Sequence, residues 1–263
     1  MKLDKLTAVF GVLGGILVIF LFLPIVDIFF EQFTLNLDIF LQTLTEVSTL
    51  KATGMSVFAA FVSVVISFLF GVPLAYILVK KKFWGKRIVE GIIDLPMAIP
   101  HTVAGIALLT VLGSGGIIGG ATEGFIRFEY AFPGIVAAMT FVSAPFLIIS
   151  AKEGFQSVDP NLENVARSLG ASEWQSFVKI SFPLAFPQIF SGAVMSWARA
   201  VSEFSAVIML VGFYPMISPG LIWSRFYGEN LMSAMAVAVV LLLVVLPTFI
   251  ILRTLGGRAF DKY

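Results

Sequence analysis

The chain has no cysteine and one histidine, His101, in 263 residues. Without thiols there are no disulfides, no cysteine-held zinc or iron–sulfur centre and no thiol nucleophile. With one imidazole, a His-rich metal site is excluded as well. Charge is also scarce. Asp, Glu, Lys and Arg make up 13% of the residues and hydrophobic residues 59%, where a soluble domain carries about 25% charged residues. The missing charge leaves uninterrupted apolar runs, so the class expected is a polytopic membrane protein.

Six runs reach the ~20 residues that a helix needs to cross a ~30 Å hydrocarbon core: residues 6–29, 55–79, 88–112, 133–151, 185–211 and 232–252. Runs such as "AVAVVLLLVVL" lack the alternation of a barrel strand, and lipid leaves helices as the economical way to satisfy the backbone. The first run follows Lys2 and Lys5, is longer than a cleavable signal core and precedes no A-x-A site; it reads as an uncleaved membrane helix. The expected fold is therefore all-α, with six transmembrane helices. Its divisions are 1–54 (first helix and external loop), 55–253 (five further helices with a polar loop at 152–184) and a tail at 254–263.

Lysine and arginine orient the bundle. Alternating sides from the N-terminus collect Lys2, Lys5, Lys80, Lys81, Lys82, Lys86, Arg87, Lys152, Arg167, Lys179, Arg253, Arg258 and Lys262 on one side. Lys51, Arg127 and Arg225 fall on the other, and Arg199 lies within a span. Thirteen against three is a positive-inside pattern that puts both termini in the cytoplasm. The external loops are then 30–54, 113–132 and 212–231.

The cytoplasmic stretch "VDPNLENVARSLGASEWQSFVKISFP" reads as two short capped helices. Asp159 is an N-cap with Pro160 at the first helical position. Leu162, Val165, Ala166 and Leu169 share one face, Gly170 supplies a left-handed stop, and Ser172 with Gln175 forms a capping-box pattern. Pro183 is expected to end the second helix. Two sets of caps describe a rigid element, either an interfacial connector or a docking knob for a partner.

Two clusters occupy the spans. In "SWARAVSEFSA", Arg199 and Glu203 stand four apart on one helix face, with Ser202 and Ser205 beside them. Charges there are costly and turn toward a cavity or toward each other, so the pair either borders a path or is a purely structural contact. In "DLPMAIPHTVAGIAL", Pro96 and Pro100 each remove an N–H and are expected to kink one span, next to His101 and Thr102.

The segment "ENVARSLGASEWQSFVKISFPL" resembles the coupling signature of importer-type ABC transporter permeases, with Gly170, Ile180 and Pro183 at the family's spacing. Asn164 occupies the usual glutamate place, with Glu163 one residue early; Val165 replaces an alanine and Phe182 a leucine. "WARAVSEFSA", "LPMAIPHTVAGIAL" and "YPMISPGLIW" are similar to segments of the molybdate/tungstate branch, with sulfate permeases next. The resemblance implies that Glu163, Asn164, Val165, Ala166, Arg167, Ser168, Leu169, Gly170, Ala171 and Ser172 form an ATPase-docking coupling helix. It further implies that Pro96, Pro100, His101, Thr102, Arg199, Ser202, Glu203 and Ser205 border the translocation path. Implied partners are a second copy of the chain, two cytoplasmic ATP-binding subunits and an external oxyanion-binding protein, in the cell membrane of a prokaryote and with no nucleic acid involved. The phosphate-binding pattern G-x-x-x-x-G-K-[ST] is absent and "GSGGIIGG" lacks its lysine. The chain is thus expected not to be an enzyme and to hold no cofactor or metal, with ATP and Mg on the partner subunit. An ion-gradient carrier would need inverted repeats or several intramembrane acids, and only Asp94 and Glu203 qualify, with Asp27 at an edge.

Overall fold

The computed structural model describes residues 4–122 and 124–260, together with their side chains except at 255 and 257–260. Lys2, Lys262 and the Arg258 side chain, counted above for orientation, lie outside that description. Among the described residues every regular element is a helix. In chain order these are α1 (Lys5–Phe30), α2 (Leu37–Thr45), α3 (Val47–Lys80), α4 (Lys86–Ala98), α5 (His101–Leu112), α6 (Ile117–Thr122) and α7 (Phe132–Ser157). They continue as α8 (Pro160–Ser168), α9 (Glu173–Ser176), α10 (Phe182–Val201), α11 (Ser205–Val211), α12 (Ser218–Gly228) and α13 (Leu231–Phe260). Wide π turns at Glu31–Leu35 and Phe177–Ser181 extend α1 and join α9 to α10.

The core is organised on α7, which packs along α3 on one side and α10 on the other. Small residues set the spacing: Ala59, Ala60, Ala138, Ala200 and Ala206 are fully buried, with Met139, Val142 and Trp197 filling between them. Small side chains let helix backbones approach where hydrophobic exclusion from water gives no drive. A hydroxyl cluster crosses the α3–α7 seam, with Ser63 Oγ 3.3 Å from Ser143 Oγ and 3.2 Å from Thr140 Oγ1. By contrast, α1 has no buried residue.

Five helical stretches are long and apolar enough to cross a bilayer, and a sixth crossing exists only if α4 and α5 count together. That pair departs from the expected kinked span at 88–112, because its halves are bent by 117°. The break sits at Ile99, extended at φ −87° and ψ 146°, directly before Pro100, where the proline ring disfavours helical backbone in its predecessor. Pro96 is accommodated within α4, so Pro100 alone makes the bend. The expected span 185–211 is also broken, at residues 202–204 between α10 and α11. Pro183 does not end a helix: α9, the π turn and α10 run on as one rod over Glu173–Val201. The wide turn immediately before the proline is where such a rod absorbs a missing N–H.

The three expected external loops are largely helical as well. The first holds α2 and the opening turns of α3, the second α6 and the third α12; the glycine-rich turn extends over Gly113–Gly116 before α6 begins. At the other end, α7 runs on to Ser157, so the polar loop at 152–184 shrinks to α8 and the corner after it.

The α5–α11 crossing depends on a glycine. A Cβ on Gly105 would lie 2.6 Å from Met209 Cβ and 2.8 Å from the Ala206 carbonyl oxygen. Gly105→Val is therefore expected to cost about 1–3 kcal/mol of stability, the range for overpacking, seen as a lower unfolding temperature of the purified protein. Gly91→Ala, where a Cβ meets nothing within 4 Å, serves as the neutral control.

Candidate functional site

Two assemblies carry the sequence-derived site residues. The first is the polar hairpin, whose caps form as expected. Asp159 Oδ1 accepts from the Asn161 N–H at 2.9 Å, and Pro160 opens α8. Gly170 is left-handed at φ +91°. Its N–H donates to Arg167 O at 2.9 Å and that of Ala171 to Ala166 O at 3.0 Å, the paired bonds of a Schellman stop. Ser172 Oγ accepts from the Gln175 N–H at 3.2 Å while Gln175 Oε1 accepts from the Ser172 N–H at 2.9 Å, a complete capping box.

Of the ten residues from Glu163 to Ser172, Asn164, Val165, Arg167, Ser168, Leu169, Gly170 and Ser172 are exposed, and Ala166 and Ala171 are half-buried. The apolar face of α8 does not find a core: Leu169 is 84% exposed. Leu162, Val165 and Leu169 instead line an open groove of about 970 Å³ against Ile180, Phe182 and Pro183. Beneath the hairpin, Tyr76, Phe155 and Phe177 pack as a cluster, with Tyr76 and Phe177 centred 4.8 Å apart.

Glu163 behaves differently from its neighbours. It is buried, receives Lys80 Nζ at 2.7 Å and accepts from the Ser181 hydroxyl. This carboxylate ties α8 to the last turn of α3 and to the π turn before α10. Burial works to raise its pKa; the hydrogen bonds from Lys80 and Ser181 outweigh that and hold the carboxyl below its ordinary value. Lys80 and Ser181 were not among the sequence-derived site residues. Their only local signal was a lysine at a helix end and a serine in a polar run. Three further ion pairs fasten the ends of the bundle: Lys152 with Glu90 at 2.6 Å, and Arg225 with both Glu46 and Glu229.

The second assembly forms where the two helix breaks meet. Glu203 lies in the break after α10, 1% exposed. Its Oε1 accepts from the Ala206 N–H at 2.9 Å, satisfying a free amide at the start of α11. Its Oε2 accepts from Arg199 Nη2 at 2.6 Å and faces His101 Nδ1 at 2.9 Å. The same Arg199 nitrogen lies against both ring nitrogens of His101, with Nε2 at 3.1 Å. Ser202 Oγ is 3.4 Å from Arg199 Nη1 and donates to the Arg199 carbonyl. The arginine and histidine side chains keep 23% and 32% exposure.

Of the expected path residues, His101, Arg199, Ser202 and Glu203 thus come together, Pro100 sets the bend that delivers His101, and Thr102 follows it exposed. Ser205 opens α11, half-buried. Pro96 stands across the bend, buried within α4, which packs on α7. Among the described residues no group of three His, Asp or Glu side chains could hold a metal ion.

Residues 67–260 match the family model of binding-protein-dependent transport system inner membrane components. The molybdate/tungstate transport system permease protein of Thermococcus kodakarensis is 42% identical over 98% of this chain and 99% of its own. Its counterpart from Methanocaldococcus jannaschii is 36% identical over 97% of each. A probable sulfate transport system permease of Chlorella vulgaris is 32% identical over 81% of this chain and 82% of its own. Among solved structures, a bacterial ABC transporter that imports alginate superposes with a TM-score of 0.77 over 96% of each chain at 19% identity, a likeness of fold.

The Glu163 tether has a defined pH signature. With the folded pKa below the ordinary value of 4.5, its stabilisation is complete above that value and lost as pH falls through the folded pKa. Glu163→Gln is expected to cost about 1–3 kcal/mol at neutral pH by leaving Lys80 unpaired. The gap in unfolding temperature between variant and wild type should then close as the pH falls through the folded pKa, below the ordinary carboxylate value.

Proposed function

The chain belongs to the family of binding-protein-dependent transport system inner membrane components, and on that premise we propose that it is the membrane permease of an ATP-driven importer for a tetrahedral oxyanion, molybdate or tungstate. The observation that carries the coupling role is the hairpin: a doubly capped, glycine-cornered element that keeps its docking residues exposed while Glu163 fastens it to α3 and the α10 rod. A rigid knob with a fixed root transmits displacement, where a flexible loop would absorb it.

In this reading two copies enclose the path between them and present two hairpins to two cytoplasmic ATP-binding subunits. Those subunits hold ATP and Mg, since the phosphate-binding motif is missing from this chain. An external binding protein delivers the anion to the face bearing α12. The hairpin end is cytoplasmic, as the gathering of Lys80, Lys81, Lys152, Arg167 and Lys179 near it supports, and α4 with α5 makes the sixth crossing. Both termini then lie in the cytosol and the membrane is that of a prokaryotic cell. Closure of the ATP-binding subunits drives the hairpins, and α3 and α10 carry the movement to the helix breaks.

At those breaks, Arg199, His101 and Ser202 offer N–H and O–H donors to a passing oxyanion, and Glu203 fixes their geometry. The substrate branch is supported by 42% identity to a molybdate/tungstate permease against 32% to a sulfate permease.

Reconstituted with its ATPase and binding protein, the wild-type complex should take up molybdate and tungstate only with ATP, and sulfate poorly; preference for sulfate would move it to the neighbouring branch. Gly170→Glu, which places a charge and a strained backbone at the corner, should abolish co-purification of the ATPase or uncouple it. Arg199→Ala should lower uptake about tenfold or more while the ATPase still co-purifies, the scale of removing one buried charge contact.

A further inference from the structure

We propose that Glu203 is a charge-balancing residue that keeps the path from trapping its own cargo, by cancelling the charge of Arg199 where a dianion passes. The inference rests on the transport reading above and deepens it. Arg199 and His101 are the only basic side chains within α5, α10 and α11, and Glu203 is the only acid in or between those helices from Phe182 to Val211 and along α5. The cluster therefore carries one fixed positive and one fixed negative charge. Arg199 and His101 are partly exposed and Ser202 is exposed, whereas Glu203 is 1% exposed and has both oxygens occupied. It cannot touch an anion, and it is not placed to shuttle one. What it does is hold the arginine neutralised from behind, in surroundings where an unbalanced charge acts strongly.

The arithmetic of two copies sharpens the point. With the carboxylates in place, the paired clusters offer hydrogen-bond donors and no net fixed charge. Without them, two unopposed guanidinium groups would face each other across the path, equal and opposite to a doubly charged oxyanion. Such a site binds tightly and releases slowly. A conduit that takes its cargo from a high-affinity carrier needs the opposite, because tight binding of the transported species lowers its ground state without helping it move on.

The test uses the purified complex of permease and ATPase in lipid nanodiscs, without the binding protein, and radiolabelled molybdate and tungstate as probes. Glu203→Gln retains an acceptor for the Ala206 N–H and removes the charge. It should bind either oxyanion at least about tenfold tighter than wild type, with slower ATP-driven uptake in proteoliposomes and the ATPase still bound. The double variant Glu203→Gln/Arg199→Gln should lose that gain. Ser202→Lys, at an exposed neighbour, adds an unopposed cation without disturbing the buried carboxylate, and should also tighten binding and slow uptake; it decides the matter if Glu203→Gln does not fold. If the folded variants bind no more tightly than wild type, or if the double variant keeps the gain, the inference is overturned. Should the wild-type complex transport neither molybdate nor tungstate, the transport reading itself fails, and that outcome is read separately from these.

Discussion

A helix that breaks inside a bilayer frees amides and carbonyls that lipid cannot satisfy, and this chain puts its two internal breaks side by side. One is made by Pro100, the other by residues 202–204, and Glu203 joins them through Ala206, Arg199 and His101. The same carboxylate thus starts a helix, holds an arginine and fixes a histidine delivered from a distant part of the chain. The close approach of Gly105 to α11 and the polar cluster belong to the same junction.

The hairpin at the other end obeys a different economy. Most of its residues are exposed and it could have been a loose connection. Instead its backbone is closed at three points by Asp159, by the Schellman bonds around Gly170 and by the Ser172 capping box. Its root is set by Glu163 between Lys80 and Ser181. Local rigidity and a buried ionic root together tie α8 to α3 and to the start of the α10 rod. The apolar face of α8 is left exposed at its outer limit.

These features differ in how plainly the sequence displays them. The hairpin caps were fully legible, since each is a contact between residues two to five apart whose chemistry is written in adjacent letters. The apolar runs were legible too, because lipid imposes its length directly on composition. Illegible was anything decided by distant partners. Glu163 looked like a misplaced motif residue until Lys80, 83 positions away, was seen to meet it. Arg199 and Glu203 were correctly paired, yet for the wrong reason: they bridge across a helix end, not along a helix face. The two prolines near His101 look equivalent in the sequence, yet Pro96 lies buried inside α4 while Pro100 follows the extended Ile99 where the chain turns. Pro183 misled in the opposite sense, since a π turn absorbs it and the rod continues.

The bare first helix has a consequence for life in the membrane. At 26 residues and no buried side chain, α1 is about 39 Å long at the helical rise, several ångströms more than the ~30 Å hydrocarbon slab around it. A helix of that excess length fits the slab by tilting, and the π turn at Glu31–Leu35, where Gln32 Nε2 donates to the Met232 carbonyl, is where it joins the rest of the chain.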